Sequence, residues 1–503
     1  MSKLIILSNR VTIPNGQKTT AGGLAVAIQD ALDDIGGIWL GWNGERVHKQ
    51  EEVHFNIFRK DKVDYVTCPL TNSQYSDYYA GFANNSLWPA MHYRSDLIEF
   101  KTSEYEGYQK VNSLFAQKLA EIADPDDTIW VHDYHFLSVA KYCRELGMQN
   151  KIGFFLHIPF APLFIWQKIP CAQQLIEDLC QYDVVGLQTD KDQKVCMQVC
   201  TSLLNAQKIQ QTLLSYHQRL TIIKCYPIGV NPTAIQKAAH KFIDVQDFLT
   251  RPVELNAAKT IIGVDRIDYS KGLLERFLSY AEFLEKYPEY QQHIQHLQIA
   301  CPCRLEVPAY QRLFERFKIK IEMINQEFAK EEWQPVECIY DAIKHHHLMQ
   351  IYRQADVCWI SSIRDGMNLV AKEYIAAQNP SNPGVLILSK YAGAAEHMSE
   401  ALLVDPTDKT AMVDVLKTAL EMPRQERISR YKQLMKGLKD FDINDWRNAF
   451  LNDLQNKTAM QDFRFLGIRN VNPIYQNLSL YTTNFTEPLS YQDSAFLKLP
   501  KFP

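Results

Sequence analysis

Ionisable side chains stand at the ends of two consecutive apolar segments in the first half of the chain. Ile129–Val131 runs into His-Asp-Tyr-His, in which the carboxylate is Asp133, and Gly153–Leu156 runs into His157. Such groups are hard to explain as core residues. Because the carboxyl ends of parallel strands meet at one edge of a sheet, Asp133 and His157 are expected to face one ligand-binding cleft.

A basic pair follows an apolar segment in the second half. Arg266 ends that segment, and Lys271 lies in the loop before a predicted helix. Two cations together with the free N–H groups of a helix start suit a diphosphate. The glycine spacing of a Walker A loop is absent. The alternative is a local salt-bridged group with Asp265 and Asp268.

The segment Arg-Asp-Gly-Met-Asn-Leu-Val-Ala-Lys-Glu follows a further apolar segment. Gly366 permits a sharp turn, and Asn368 can cap a helix that begins near Leu369, whose first N–H groups would meet a phosphate. Asp365 can accept hydrogen bonds from hydroxyls, and Glu373, one turn along the helix, can hold a ribose diol. This combination indicates a nucleotide-sugar site; the alternative is an ordinary capped helix with solvated charges.

A glycine pair follows the first apolar segment, which ends at Arg10. Gly22 and Gly23 open a predicted helix, where they would let the backbone approach a ligand and point N–H groups at an anion. Glycine pairs also serve plain turns. The run His345–His347 splays around a helix axis and Cys301-Pro302-Cys303 lacks a second pair, so neither predicts a metal site.

The elements that must position these residues alternate along the chain. Near-continuous apolar strands separated by amphipathic helices are typical of parallel sheets covered on both faces, and the length favours two such α/β sheets. The predicted strands are Leu4–Ser8, Ile129–Asp133, Ile152–His157, Val184–Thr189, Thr221–Pro227, Thr260–Asp265, His296–Ala300, Ile319–Ile324, Val357–Ser361, Val385–Ser389 and Leu402–Asp405. The predicted helices include Gly23–Leu32, Ser113–Ile122, Gly272–Lys286, Met349–Ala355 and Ala371–Ala377.

The composition is that of a globular protein and excludes several classes. The chain has 503 residues, 46% hydrophobic and 22% charged, which argues against disorder. A net charge of −4 gives no general attraction to nucleic acid or anionic membranes. No apolar run approaches the ~20 residues of a membrane span, the N-terminus lacks a signal peptide, and the eleven scattered cysteines do not form a disulfide framework. We therefore expect a soluble cytoplasmic protein.

Taken together, the motifs resemble those of the trehalose-6-phosphate synthases, retaining glycosyltransferases of family 20. The resemblance extends from about Ser8 to Leu454, with all blocks in family order. The blocks are SNR at Ser8–Arg10, AGGLA at Ala21–Ala25, LWPAMHYR at Leu87–Arg94, VHDYH at Val131–His135, FFLHIPF at Phe154–Phe160, VDRIDYSKGL at Val264–Leu273, RDGMNLVAKEY at Arg364–Tyr374 and LSKYAGAA at Leu388–Ala395.

The resemblance implies two facing Rossmann-like domains with parallel sheets, the GT-B architecture, and an active site in the cleft between them. Turn residues at Gly229–Pro232 indicate the boundary between the two domains. We expect an acceptor-binding domain at residues 1–232, a nucleotide-sugar-binding domain at 233–441, a helix at about 442–456 that crosses back, and an irregular tail at 457–503.

The implied reaction transfers glucose from UDP-glucose to glucose 6-phosphate with retention, giving trehalose 6-phosphate and UDP. The family is thought to use front-face attack, in which the leaving phosphate oxygen takes the proton of the acceptor. No side chain then needs to be the nucleophile or the base. Arg266 and Lys271 would neutralise the charge that grows on the departing diphosphate.

The site residues of the family are carried over where the motifs match. Four residues would be catalytic. Asp133 would orient acceptor hydroxyls, His157 would contact the donor glucose, and Arg266 and Lys271 would hold the diphosphate. The remaining acceptor residues are Arg10, Tyr79, Trp88 and Arg304, with the arginines on the phosphate. The remaining donor residues are Gly22, Gly23, Ile343, Asp365, Gly366, Met367, Asn368, Leu369, Val370 and Glu373.

The chain departs from the family pattern at several positions. Ala161–Phe164 lacks an acidic residue that is common there, and Asn231 stands where an acid is usual. Ile343 replaces an aromatic near the base, although a backbone contact to uracil would survive. Cys303 replaces a serine before Arg304. None of these changes removes a charged catalytic group.

Two other readings stay open on the sequence. A related transferase could use another acceptor, such as glycerol 3-phosphate, or another nucleotide, and an inactive regulatory subunit could bind sugar phosphate without turnover. No metal or other cofactor is expected, because Arg266 and Lys271 supply the charge and no Asp-x-Asp pair lies near the donor loop. The expected partners are the two small-molecule substrates and further copies of the chain, as a dimer or tetramer, without nucleic acid or membrane.

Overall fold

The computed structural model describes residues 2–13, 28–29, 31–32, 34–240 and 257–456. Gly22 and Gly23, most of the predicted helix Gly23–Leu32 and the predicted tail at 457–503 lie outside these residues. Residues 1–455 form one compact unit, and 456–503 form a second. Within the described ranges no helix is long and apolar enough to cross a membrane, and the eleven cysteines, all of them described, are free thiols.

The larger sheet in the described residues has ten strands in the order β3-β4-β2-β1-β5-β6-β7-β10-β9-β8. Strands β4 through β10 in this order run parallel, and β5 and β7 are buried along their whole length because helices cover both faces. The strands are β1 (Leu4–Arg10), β2 (Gly37–Val47), β3 (Asn56–Lys60), β4 (Val63–Thr71), β5 (Thr128–His132), β6 (Lys151–Phe155), β7 (Val184–Leu187), β8 (Gln207–Gln210), β9 (Leu213–Tyr216) and β10 (Arg219–Cys225).

Both edges of this sheet carry antiparallel additions. On one edge β3 runs antiparallel to β4, and on the other β10, β9 and β8 run antiparallel to one another. Every residue of β3 is exposed. The sequence predicted β10 as Thr221–Pro227, but it did not predict β3, β8 and β9, of which β3 and β8 lack the apolar pattern of the buried centre.

The second sheet in the described part of the chain has six strands, all parallel, in the order β13-β12-β11-β14-β15-β16. Its strands are β11 (Lys259–Arg266), β12 (Ile294–Cys301), β13 (Val336–Ile339), β14 (Val357–Ile360), β15 (Val385–Ser389) and β16 (Leu402–Val404). The two sheets with their flanking helices confirm the predicted α/β class with parallel sheets.

Helices cover the faces of the sheets. The α-helices are Asn72–Gln74, Trp88–Met91, Thr102–Ile122, Val139–Glu145, Leu163–Trp166, Ala172–Leu179, Asp190–Leu204, Pro232–Ala239, Leu273–Lys286, Pro308–Phe328, His345–Gln354, Leu369–Ala377, Lys409–Glu421, Arg424–Asp440 and Ile443–Gln455. A π-helix at Tyr75–Leu87 leads into the segment that carries Trp88. Wide turns of this kind are frequent at functional sites.

The prediction of a strand at Ile319–Ile324 is wrong, because these residues lie inside the helix Pro308–Phe328. Phe317 and Ile321, four residues apart, are buried, whereas Ile319 is 54% exposed. In a strand, Ile319 and Ile321 would share one face. The burial therefore follows the period of a helix. The alternating isoleucines at 319 and 321 had wrongly suggested a strand.

The helix Ile443–Gln455 packs on the first sheet. Its Phe450 stacks on Trp130 of β5, with ring centroids 4.8 Å apart. Gly153 and Gly186 make room, since a Cβ on either residue would lie within 3 Å of the Phe450 ring. The last described helix therefore packs against the sheet that contains the first described strand.

The two chain segments that pass between the sheets touch each other. The N–H of Ile443 donates to the carbonyl of Val230 at 3.2 Å. A Cβ at Gly229 would overlap the backbone of Asp442. The passage out of the first sheet and the passage back to it thus lie side by side.

Candidate active site

The carboxyl ends of the two sheets face each other across a cleft, and most of the predicted site residues lie on its walls. Gly366 lies in the turn after β14 and packs against the carbonyl of His157, which follows β6. A Cβ on Gly366 would overlap that carbonyl. Arg304, after β12, donates to the hydroxyl of Tyr134, after β5, at 3.0 Å. These contacts bring the loops of both sheets into one site.

The loop after β11 presents both predicted cations. Arg266 is the last residue of β11, is exposed, and lies 5.2 Å from the centroid of the Trp88 ring. The nearby carboxylates are engaged elsewhere: Asp265 pairs with Arg276, and Asp268 pairs with Arg304. The alternative of a local salt-bridged group is therefore not what the structure shows.

Lys271 reaches across to the turn after β14. Its Nζ donates to Oδ2 of Asp365 at 2.5 Å, and the same oxygen accepts from Nδ2 of Asn368 at 3.0 Å and from Ser362 at 3.2 Å. Burial alone would raise the pKa of the Asp365 carboxyl, but Lys271 and Asn368 hold that pKa below its ordinary value. Asp365 is thus an ionised acceptor beside a cation.

The predicted helix start after this turn is confirmed. Asn368 adopts a left-handed conformation, with φ of 74°, and its Oδ1 accepts the N–H of Ala371 at 3.1 Å. The helix begins at Leu369, followed by Val370, where the first N–H groups have no carbonyl partner within the helix. Met367 is buried, and its carbonyl accepts from Ala394 at 2.8 Å. The turn is thereby held in shape beneath the helix start.

Glu373 lies one turn along this helix and is 7% exposed. Its Oε1 lies 3.1 Å from Nε2 of His345, the first residue of the helix that follows β13. Ile343, just before that helix, is partly buried against the apolar core behind the second sheet. Glu373 therefore lies beside the start of the helix that Ile343 precedes.

On the opposite wall, Asp133 follows β5 in a left-handed conformation, with φ of 74°. Such a φ is uncommon for a residue other than glycine and marks a constrained position. Its Oδ1 accepts the backbone N–H of His157 at 3.2 Å. Burial raises the pKa of Asp133 to about 6, although hydrogen bonds from backbone N–H groups and the nearby Arg266 oppose the rise.

His157 forms a pair with His132, and their Nε2 and Nδ1 atoms are 2.9 Å apart. Burial lowers the pKa of His157 to about 3 and that of His132 well below its ordinary range. Two neutral imidazoles can share one N–H in this contact, so the tautomer of one ring determines the tautomer of the other. The sequence predicted His157 but not its partner, which stands directly before Asp133.

Arg304 lies almost fully buried between the two walls. Its guanidinium covers the Trp88 ring at 4.0 Å, and Nη1 donates to the hydroxyl of Tyr310 at 2.6 Å and lies 3.4 Å from Asp268. Nη2 donates to Tyr134, as described above. This network fixes the plane of the Arg304 guanidinium.

Arg10 and Tyr79 extend the acceptor wall along the first sheet. Arg10 ends β1, is exposed, and lies 5.2 Å from the centroid of Trp42. Tyr79, in the π-helix, contacts Trp42 at 5.9 Å and stacks on His135 at 5.8 Å with an interplanar angle of 8°. Arg10 and Tyr79 therefore both lie beside Trp42.

The structure does not test the predicted positions of Gly22 and Gly23, because both lie outside the described residues. Among the residues that the structure does describe, no group of three or more His, Cys, Asp or Glu side chains could hold a metal ion. The site is thus built from arginine, lysine, backbone N–H groups and single carboxylates.

Sequence reasoning missed two further residues of the cleft, Tyr134 and His92. Tyr134 lies inside the Val131–His135 motif and was passed over for its neighbour Asp133, although a buried tyrosine needs a hydrogen-bond partner. His92, within Leu87–Arg94, is buried, and its Nδ1 donates to the carbonyl of Trp88 at 2.8 Å. Both stand in motifs that the sequence had already singled out.

Two facing Rossmann-like sheets, with a pair of cations and a capped helix start on one wall and an arginine-lined surface on the other, define a glycosyltransferase of the GT-B architecture. The family model of glycosyltransferase family 20 matches residues 5–456. The chain belongs to this family.

Named relatives and solved structures agree with this assignment. The trehalose-6-phosphate synthase of Sodalis glossinidius (strain morsitans) is 40% identical over 460 residues, covering 90% of this chain and 96% of the relative. A crystal structure of an alpha,alpha-trehalose-phosphate synthase (UDP-forming) from Burkholderia vietnamiensis has a TM-score of 0.85 at 42% identity, covering 91% of this chain and 97% of that one. One from Burkholderia xenovorans, in complex with glucose-6-phosphate, has a TM-score of 0.86 at 38% identity, covering 90% and 100%.

Proposed function

We propose that the chain transfers glucose from UDP-glucose to glucose 6-phosphate and releases UDP and trehalose 6-phosphate, with retention at the transferred carbon. Similar structures are described as UDP-forming trehalose-phosphate synthases, one of them in complex with glucose-6-phosphate. Trehalose phosphate contains two glucose units. Because the acceptor brings one of them, the other must arrive on UDP.

The observation that carries the proposal is the meeting of Arg266, Lys271 and the helix start at Leu369 on one wall of the cleft. Two cations and free backbone N–H groups suit the diphosphate of a nucleotide sugar. Asp365, held ionised beside Lys271, accepts hydrogen bonds from the hydroxyls of the transferred glucose. Glu373 binds the ribose.

The acceptor occupies the facing wall. Arg10 and Arg304 hold its phosphate, with the planar fork of Arg304 fixed by Tyr134 and Tyr310. Trp88 lies under the sugar ring. Asp133 is largely ionised at neutral pH, since its pKa is about 6, and it orients acceptor hydroxyls as a hydrogen-bond acceptor.

The transfer proceeds on one face of the donor glucose. The anomeric hydroxyl of glucose 6-phosphate attacks C1, the bond from C1 to the diphosphate oxygen breaks, and that oxygen takes the proton of the hydroxyl. Arg266 and Lys271 stabilise the charge that develops on the departing UDP, the largest catalytic contribution expected in such a site. His157, neutral because its pKa lies near 3, donates or accepts a hydrogen bond at a glucose hydroxyl.

Further features belong to the same proposal. The reaction needs no metal ion, because two cations already face the diphosphate. The chain acts in the cytoplasm, as a homo-oligomer. Residues 1–232 with the returning helix bind the acceptor, residues 233–441 bind the donor, and Gly22 and Gly23 contact the donor from the first half.

The experiment that tests the proposal is UDP release from UDP-glucose in the presence of EDTA, with glucose 6-phosphate, glucose and glycerol 3-phosphate as acceptors. We expect release with glucose 6-phosphate alone, and a non-reducing disaccharide phosphate as the product. Release with another acceptor would overturn the acceptor assignment. Loss of activity in EDTA, restored by a divalent cation, would overturn the metal-free mechanism.

A further inference from the structure

Two consecutive residues of the first half, Tyr93 and Arg94, each make a cation–π contact with the second half. The guanidinium of Arg364 lies over the Tyr93 ring, 3.7 Å from its centroid. The guanidinium of Arg94 lies 5.3 Å from the centroid of Tyr269. The two pairs run in opposite senses, because each half supplies one cation and one ring.

The partners of this pair of residues stand beside the donor-binding groups. Arg364 directly precedes Asp365, which Lys271 holds at 2.5 Å. Tyr269 lies between Arg266 and Lys271 in the loop after β11. Both contacts thus end on the two loops that receive the diphosphate and the transferred glucose.

The backbone around Tyr93 is built to present its ring. Tyr93 adopts a φ of 61°, a left-handed conformation that is strained for an aromatic residue and persists only where its surroundings enforce it. Its hydroxyl donates to the carbonyl of Phe160 at 3.2 Å. Arg94 is aimed by Asp96, whose two oxygens accept from Nε and Nη2 at 2.8 and 2.7 Å.

We propose that Tyr93 and Arg94 form an interdomain clasp that positions the two donor loops and shields the glucose carbon from water. The inference rests on the proposed function and deepens it. Tyr93 and Arg94 are positioning residues, since they act through Arg364 and Tyr269 and not on the substrates themselves. Because they follow Trp88 in the same segment, the clasp also links the acceptor surface to the donor loops.

The clasp has consequences that distinguish it from a general contribution to stability. UDP alone is held by the helix start, Glu373 and the cations, so its affinity should depend less on the turn at Arg364 than the affinity for UDP-glucose does. The glucose moiety depends on Asp365, which that turn carries. Removing the Tyr93 ring should therefore weaken binding of UDP-glucose and not of UDP, and should admit water, which attacks C1 and gives glucose and UDP.

The test compares Tyr93→Leu with wild type in the full chain. We expect the KM for UDP-glucose to rise about 10-fold, as the loss of a half-buried cation–π contact predicts, and UDP release without acceptor to increase. The dissociation constant of UDP should stay within about twofold, the scale of a contact worth a few tenths of a kcal/mol. Tyr93→Phe keeps the ring and should behave as wild type.

Arg364→Gln removes the same contact from the other side and serves if Tyr93→Leu does not fold. Arg364 also lies 5.9 Å from the ring centroid of Tyr391, and Tyr93 also donates to Phe160, so the two variants share one lost contact and differ in the others. The loss in the double variant should therefore be smaller than the sum of the losses in the two single variants. Tyr287→Leu is the matched control, because it removes a cation–π contact with Lys417, at 4.5 Å, within the second half. It should leave the KM for UDP-glucose unchanged.

Two results would overturn the clasp. One is a folded Tyr93→Leu or Arg364→Gln variant with a wild-type KM for UDP-glucose and no release of UDP without acceptor. The other is an equal loss of affinity for UDP and UDP-glucose. Failure of the proposed function is distinguishable, because wild type itself would then release no UDP with glucose 6-phosphate.

Discussion

Lys271 and Asp365 are joined by an ion pair of 2.5 Å although they stand 94 residues apart in the chain. Both side chains are 14% exposed. The pair connects the loop after β11 with the turn after β14, the two loops that surround the diphosphate and the glucose of the donor. In the proposed mechanism Lys271 therefore serves two purposes: it neutralises the leaving group, and it keeps ionised the carboxylate proposed to hold the sugar.

Replacing Lys271 by alanine is expected to lower kcat by about 100-fold or more, the typical loss when one preorganised electrostatic contact to the transition state is removed. Asp365 would at the same time lose its cation, so its pKa would rise and donor binding would weaken. Steady-state kinetics with UDP-glucose and glucose 6-phosphate measure both effects. Lys286→Ala, which removes an exposed ion pair with Asp414, is the control, and near-normal turnover of Lys271→Ala would contradict the mechanism.

Asp133 is expected to set the acid limit of activity. Its pKa is about 6, so kcat/KM should fall about tenfold per pH unit below that value as the carboxylate is protonated. Asp133→Asn should lose most of its activity and, with it, this acid limb. A pH profile of the wild type that stays flat down to pH 5 would show that Asp133 is not required in its ionised form.

Ionised Asp133 is expected to lower the free energy of unfolding at neutral pH. Its pKa is raised in the folded protein, so folding favours the protonated form; the penalty is absent below the unfolded value near 3.8 and is complete above about 6. Asp133→Asn should therefore increase the free energy of unfolding at pH 8 by about 1–3 kcal/mol. The increase should shrink as the pH falls toward 5, which denaturant titrations at both pH values can measure; an equal increase at both would contradict this origin.

The His132–His157 pair is expected to stay neutral throughout the working range. Burial lowers both pKa values, that of His157 to about 3, so the folded protein disfavours protonation and loses stability as the pH falls below the unfolded value near 6.5. Their imidazole proton signals in NMR spectra should not shift between pH 8 and 5. Replacing His132 by phenylalanine identifies the signals by loss of one, and a titration of either near pH 6 would contradict the buried pair.

Arg304 is expected to decide between glucose 6-phosphate and glucose. Lysine at this position keeps the charge but cannot donate at once to Tyr134 and Tyr310, so Arg304→Lys should raise the KM for glucose 6-phosphate about 10- to 100-fold, as for a lost charged hydrogen bond of ~1.5–3 kcal/mol. The KM for UDP-glucose should change little. Arg312→Lys, at an exposed position, is the matched control; a uniform loss for both substrates would place Arg304 elsewhere in the reaction.

The positions of the candidate site residues could be predicted wherever an apolar segment ends. Buried parallel strands are recognised easily from sequence, and their carboxyl ends place Asp133 at the edge of the first sheet and Arg266 and Asp365 at the edge of the second. The cap at Asn368 is a local signal of the same kind. The resemblance of the motifs added the roles that strand positions alone do not reveal.

The pairings across the cleft could not be predicted, because they join residues far apart in the chain. Nothing local indicates that Arg304 would meet Tyr134, 170 residues away, or that Lys271 would prefer Asp365 to the adjacent Asp268. The edge strand β3 is exposed along its whole length. Because it faces no core, it has no apolar pattern from which a strand could be predicted. Ile319–Ile324 shows the opposite error, where a local alternation concealed a helix.

Gly229 contacts Asp442, and the N–H of Ile443 donates to the carbonyl of Val230, so the two segments that pass between the sheets meet at one point. We propose that any opening of the site is a rotation about this point, because two adjacent connections do not allow one sheet to translate along the other. A bulky side chain at Gly229 should then hinder substrate entry and product release without contacting the residues proposed to bind the substrates.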